Sequence, residues 1–266
     1  MLHEWAEGKI LAGAEGGIAR LVVNNPEKRN AVSLAMWQAV GEAVAGFAAD
    51  PSVRVLLVSG AGGKAFVSGA DISRFEQERT GEAAVARYNA AAEAAYAALA
   101  AFPRPVIAAI EGACVGGGLA LAVCCDIRLA AADSRFGLPA ARLGLGYPFG
   151  GISRLIGVVG RAAAAEILFT AALYDAAQAK AWGLVNRVLP PGEVLAAAEA
   201  LARQIAANAP LTVAAAKRAL IEHAKDPAER DLPAVQAMVL AAFASDDYRE
   251  GQAAFRDKRP PRFTGA

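Results

Sequence analysis

Apolar positions along the 266-residue chain follow two different periods. Short β-branched runs at "GIARLVV" (17–23), "PSVRVLLVSG" (51–60), "RPVIAAIEG" (104–112) and "DIRLAA" (126–131) predict strands, punctuated by Gly, Pro and Asn. Between them lie stretches of helical period. "LAMWQAVGEAVAGFAAD" (34–50) predicts a helix capped by Ser33, and an alanine-rich helix is expected over about 82–101. Beyond about residue 192 the strand-like runs stop. "EVLAAAEALARQIAANAP", "LTVAAAKRALIEHA", "LPAVQAMVLAAFA" and "DDYREGQAAFRDK" all read as helices. Strands alternating with helices predict an α/β core over 1–195 and an all-helical region over 196–266. Apolar faces in that region, "VQAMVLAAF" above all, are expected to pack on the core or on another subunit.

Composition removes several function classes. The chain is 56% hydrophobic and 20% charged with a net charge of +1, so it can bury a large core but shows no basic excess for nucleic acid or a membrane surface. The most apolar long window, 81–101, is interrupted by Glu82, Arg87 and Glu93, which argues against a membrane span. The first residues, "MLHEWAEGKI", carry charges where an export signal needs an apolar core, so a cytoplasmic location is expected. Cys114, Cys124 and Cys125 form an odd, clustered set that is no disulfide framework. Only His3 and His223 are present, both far from the glycine-rich centre, so neither a His-based triad nor a metal site is expected. The abundant alanine is read as base composition plus helix preference, with no function attached.

Candidate chemistry concentrates in two loops, "KAFVSGADI" (64–72) and "GACVGGGLALA" (112–122). Each follows a predicted strand and precedes helical sequence. Glycine lets backbone N–H groups approach a ligand without an intervening Cβ. Gly117 and Gly118 fall where a helix begins, so their N–H groups lack intrahelical partners, and the helix dipole favours negative charge there. One N–H from each loop could clamp a carbonyl oxygen that becomes an oxyanion, or the glycines could serve tight packing alone.

Together these motifs resemble the enoyl-CoA hydratase/isomerase, or crotonase, family. "NNPEKRNAVS" (24–33), "GKAFVSGADIS" (63–73), "IEGACVGGGLALAVCCDIRLAAADSRFGLPAARLGLG" (110–146), "LFTAALYDAAQAKAWGLVNRVLP" (168–190) and "FASDDYREGQAAFRDKRPPRFTG" (243–265) occur in the family's order. The resemblance implies a spiral of repeated ββα units with C-terminal helices that build trimers or dimers of trimers. It implies an acyl-CoA thioester as ligand, with coenzyme A as part of the substrate and no separate cofactor. The thioester oxygen would be held by the backbone N–H groups of Ser68 and Gly117. Gly69, Ala70, Asp71 and Ile72 would line the adenine end of CoA with Lys28, Arg29 and Ala31 close by. Phe255 and Lys258 match tail positions that meet the CoA nucleotide, often from a neighbouring subunit.

The chain departs from the family at two places. Hydratases of the family carry two glutamates that handle the water and the proton; the matching positions here are Ala120 and Ala140. Alanine transfers no proton, and general acid–base help is commonly worth ~10²–10⁴-fold. Simple hydration is therefore in question, while decarboxylation, isomerisation and thioester hydrolysis stay open. So does a non-catalytic acyl-CoA-binding role. Tyr147, in "LGLGYPFGG", matches a tyrosine that assists decarboxylation of malonyl-type thioesters in one branch of the family. Asp71 and Asp126 are expected to be structural, Arg142 to form a surface ion pair and the cysteines to be small buried residues. Glu76 lies just past "SGADI", on a segment that could cover the acyl pocket and reach the substrate, and Glu111 could point either way.

Overall fold

The computed structural model describes residues 1–266. Its larger sheet has seven strands, in the spatial order β1 (His3–Trp5), β2 (Ile10–Glu15), β3 (Ile18–Val23), β4 (Val55–Gly60), β6 (Val106–Ile110), β8 (Ile127–Ala131) and β11 (Arg187–Leu189). From β3 onwards neighbours run parallel. A smaller sheet runs β10 (Tyr174–Asp175), β9 (Arg135–Gly137), β7 (Ala113–Val115) and β5 (Ala65–Val67), with β5, β7 and β9 parallel. The chain steps from β4 to β5, from β6 to β7 and from β8 to β9. Each turn thus lays one strand in each sheet before a helical segment carries it to the next, which is the spiral of ββα units that the resemblance implies.

Ser33 caps α1 (Leu34–Ala49) by accepting a hydrogen bond from the Met36 N–H at 3.4 Å. The short α2 (Phe75–Glu78) leads into α3 (Glu82–Ala100). The glycine triplet opens α4 (Gly117–Ala122), and α5 (Phe149–Thr170) is interrupted at Gly160, whose φ is +74°. α6 (Ala176–Ala181), α7 (Val194–Ala206), α8 (Pro210–His223), α9 (Leu232–Ala244) and α10 (Asp246–Arg256) complete the chain.

Strand periodicity explains why the central strands read as unbroken apolar runs. Leu56, Val58, Val106, Ala108 and Ile110 face the main core, whereas Val55, Leu57, Ile107, Ala109 and Leu129 face a second core on the opposite side of the sheet. Val194, Ala198 and Ala202 of α7 cover that second face. Arg20 of β3 ties α7 down through Glu199, with nitrogen–oxygen distances of 2.6 and 2.8 Å. The division expected at 195/196 therefore falls inside a helix that packs on the core sheet. Arg128 faces the main core, where it donates to the carbonyls of Leu184, of Ala122 at the end of α4 and of Cys125 just past it.

Asp126 anchors the helical region. Its carboxylate accepts from the Val106 N–H at 2.8 Å and from the buried Lys217 ammonium of α8 at 2.6 and 2.7 Å. Breaking a buried pair costs ~3–5 kcal/mol, and Asp126 is a quarter exposed, so Lys217→Met should destabilise the fold by about 2–3 kcal/mol. A urea titration should show a lower midpoint at unchanged slope; an unmoved midpoint would show that α8 docks without this pair. On α8 and α9, Leu220, Leu232, Leu240 and Phe243 remain exposed on the single chain. No helix is long and apolar enough to cross a membrane.

Candidate active site

Because β5 and β7 lie parallel with Val67 opposite Cys114, the residues that follow them emerge side by side. The Ser68–Gly69 turn therefore meets the Val115–Gly117 turn. Gly69 has φ +111° and Gly116 φ +57°, conformations that side chains rarely adopt. A Cβ on Gly116 would lie 3.7 Å from the Gly69 Cα, and one on Gly118 would lie 2.0 Å from the Val67 carbonyl oxygen. The glycines thus let α4 start directly against the end of β5. Gly117 is the first residue of α4, and neither its N–H nor that of Ser68 donates to any loop, turn or side-chain acceptor. Since α4 has six residues, these local donors rather than a long helix dipole dominate the field here.

Both turns open into a cleft of about 660 Å³. α3 supplies one wall with Tyr88, Glu93 and Tyr96; Trp37 of α1, Leu138, Ala140, Tyr147 and Arg154 of α5 supply others. The aromatic side chains are fixed by a chain of contacts. The Tyr88 hydroxyl donates to the Val32 carbonyl at 3.0 Å and accepts from the Trp37 indole N–H at 2.9 Å. Trp37 meets Tyr96 edge-on with ring centres 5.0 Å apart, and the Tyr96 hydroxyl donates to the Gly117 carbonyl at 3.3 Å. Burial pushes both phenols up, Tyr147 to about 12 and Tyr96 well above its ordinary value. At neutral pH both are hydrogen-bond donors.

Of the residues singled out from the sequence, Ser68, Gly69, Ala70, Ile72, Gly117 and Tyr147 line this cleft, and so does Ala140. Lys28, Arg29, Ala31 and Asp71 sit beside it. The 28–31 turn is joined to the 68–71 turn by the Val32–Ala70 bridge and by the Ser68 hydroxyl, which donates to the Lys28 carbonyl at 3.5 Å. Asp71 caps the turn at 72–74 by accepting from the Ser73 N–H and binds Lys28 at 2.9 Å. Burial raises its carboxyl, but the hydrogen bonds from Lys28 and Ser73 outweigh this and leave it below the ordinary value. Phe255 and Lys258 do not reach the cleft within one chain; both are exposed at the end of α10, where Phe255 borders a groove among the tail helices. Arg142 is exposed without an ion pair, and neither Glu76 nor Glu111 reaches the cleft. The three cysteines are buried and burial pushes their thiols up, Cys124 to about 12, so none is an activated nucleophile. No cluster of three or more His, Cys, Asp or Glu is placed to hold a metal ion.

Glu93, Tyr96, Arg154, Tyr88 and Trp37 are cleft residues that the sequence reading passed over. The signal was present. Tyr88, Ala92 and Tyr96 recur at i, i+4 and i+8, with Asn89 and Glu93 adjoining, so one face of the alanine-rich helix is aromatic and polar. Reading the whole helix as compositional bias hid that face.

Comparisons with known proteins agree with this fold. The family profile described as enoyl-CoA hydratase/isomerase matches residues 13–266. A crotonyl-CoA hydratase of Syntrophomonas wolfei is 35% identical over 254 residues, covering 96% of this chain and 97% of that protein. The bovine protein named enoyl-CoA hydratase domain-containing protein 2, mitochondrial, is 38% identical over 96% of this chain and 87% of its own length. Among solved structures, an enoyl-CoA hydratase/carnithine racemase from Magnetospirillum magneticum superposes with a TM-score of 0.91 at 40% identity, covering 97% of this chain and 96% of that one. A two-sheet spiral whose glycine turns meet at one cleft, matched in sequence and in shape over nearly its full length, makes this chain a member of the enoyl-CoA hydratase/isomerase family of enzymes.

Proposed function

We propose that the protein binds an acyl-CoA thioester with its carbonyl oxygen between the Ser68 and Gly117 N–H groups and catalyses a reaction that passes through the thioester enolate. The observation that carries this reading is the meeting of two glycine turns that each present an unpartnered N–H to one cleft. Such donors are fixed before the reaction begins and gain strength as negative charge develops on the oxygen. The CoA portion would lie along Lys28, Arg29, Ala31 and the 69–72 turn, where a lysine ammonium suits a phosphate. Lys28 already binds Asp71 and Ser73, so a phosphate would share or replace those partners. Phe255 and Lys258 would contribute from a neighbouring subunit. The exposed apolar residues of α8 and α9 support the self-association, as trimer or dimer of trimers, that this requires.

The two-glutamate route to hydration is closed to this chain, because Ala120 and Ala140 hold no proton. A second reading, decarboxylation of a malonyl-type thioester, is favoured by Tyr147, a protonated phenol in the cleft wall. That reaction leaves an enolate without needing a base.

Incubation with enoyl-, 3-hydroxyacyl-, malonyl-type, β-keto- and aryl-CoA thioesters, read by mass spectrometry, tests both readings. We expect at least one thioester to be retained and converted. Loss of carbon dioxide would select decarboxylation, and an isomeric product of unchanged mass would select proton transfer. Retention of every thioester without conversion would point instead to a binding protein, and retention of none would contradict the ligand assignment.

A further inference from the structure

Glu93 supplies the only carboxylate on the cleft wall. It stands on α3 three residues before Tyr96, so the two side chains are neighbours on the helix surface, and the Tyr96 hydroxyl touches Gly117. Both carboxylate oxygens of Glu93 accept from Arg154, at 2.9 Å from Nη1 and 2.6 Å from Nη2. The guanidinium in turn packs over Tyr96, 5.8 Å from its ring centre. The pair is asymmetric in exposure, with the Glu93 side chain 48% exposed and Arg154 21%. Arg154 is thus the packed, fixed member and Glu93 the one presented to the opening. A two-point clamp sets the plane of the carboxylate and leaves acceptor capacity on each oxygen.

We propose that Glu93, held by Arg154, is the catalytic residue that exchanges a proton with the carbon next to the thioester carbonyl. This rests on the acyl-CoA reading above. In that step the C2–H bond breaks and the proton passes to a Glu93 oxygen. The C–H electron pair becomes the C1–C2 double bond, and the carbonyl π pair moves onto the oxygen that faces the Ser68 and Gly117 N–H groups. The reverse step returns the proton to C2. Where the acyl chain carries a C3–C4 double bond, the proton can instead be delivered to C4, which shifts the double bond to C2–C3. Nothing is oxidised or reduced and no water is consumed. One carboxylate suffices for such a shuttle, because the group that removes the proton also returns it. Water addition asks for a second group to activate the water, and the chain has none at Ala120 or Ala140. The titratable groups around Glu93 are Arg154 from α5, Tyr96 on its own helix, Tyr147 from the segment before α5 and Cys124 just past α4.

The test compares wild type, Glu93→Gln and Glu93→Asp with 3-hexenoyl-CoA in D₂O. Deuterium entry at C2 and double-bond movement are followed by NMR and mass spectrometry, and affinity by calorimetry. The expected result is exchange in wild type, a loss of at least ~10²-fold in Glu93→Gln at essentially unchanged Kd, and partial recovery in Glu93→Asp. Exchange retained in Glu93→Gln overturns the proposal, and so does a wild type that binds the thioester without exchanging. A parallel loss of folding and binding in both variants would mark Glu93 as structural and overturn it too. A wild type that does not bind at all overturns the acyl-CoA reading together with this one.

Discussion

Gly117→Pro should slow thioester chemistry by ~10²–10³-fold while Gly117→Ala retains most of it. The two variants differ at the atom that matters. Each adds a Cβ that would stand 3.1 Å from Trp37 Cζ2 and from the Tyr96 hydroxyl, a crowding that those side chains can relieve by small shifts. Only proline removes the N–H. The first turn of a helix tolerates proline, and the Gly117 N–H has no partner within the fold, so no structural hydrogen bond is lost. Loss of one oxyanion donor typically costs ~10²–10³ in rate, about 3–4 kcal/mol. The ratio of kcat/KM between the alanine and proline variants, measured on whichever thioester the panel identifies, should fall in that range. Equal rates would mean that Gly117 does not hold the oxygen.

Gly118→Ala should damage both stability and activity. Its Cβ would sit 2.0 Å from the Val67 carbonyl oxygen and 2.9 Å from the Val67 Cβ. Backbone cannot turn aside as a side chain can, and Val67 is itself wholly buried in the small sheet. Relief requires that α4 slide away from β5, which separates the Ser68 and Gly117 turns. We expect a loss of ~3 kcal/mol, the upper part of the usual range for overpacking, and a drop in Tm of roughly 6–12 °C. Activity should fall further than stability alone explains, because the two donors no longer converge. An unchanged melting curve would show that the α4–β5 contact is softer than its geometry suggests.

These two neighbours separate what glycine does in such a loop. Gly118 is required by its closeness to Val67, whereas the role proposed for Gly117 rests on its N–H; the sequence "GGG" shows neither distinction. Other parts were legible. Buried parallel strands are apolar on both faces, so β3, β4, β6 and β8 stand out as continuous runs, and α1, α3 and the helices after residue 192 follow from their period. The small sheet did not stand out, because β5, β7 and β9 have three residues each and β10 two, too few to establish a period. Nor was the seat of α7 visible: an amphipathic helix announces that it has a buried face, not which surface will cover it. The cleft was half legible. Its donors lie in motifs, whereas Glu93, Tyr96 and Arg154 come together only when α3 packs beside α4 and α5. Residues brought together by tertiary packing leave little local trace, and alanine around Glu93 and Tyr96 masked what trace there was.

In the proposed complex the thioester oxygen sits between the Ser68 and Gly117 N–H groups. Isotope-edited infrared difference spectroscopy tests it most directly, using a thioester labelled with ¹³C at its carbonyl, bound to wild type and to Gly117→Pro. Two fixed donors polarise the carbonyl, so its stretch should fall to lower frequency in wild type than in water, and much of that shift should vanish in the proline variant. A bound carbonyl whose frequency matches the free thioester, or whose shift survives Gly117→Pro intact, would contradict the account.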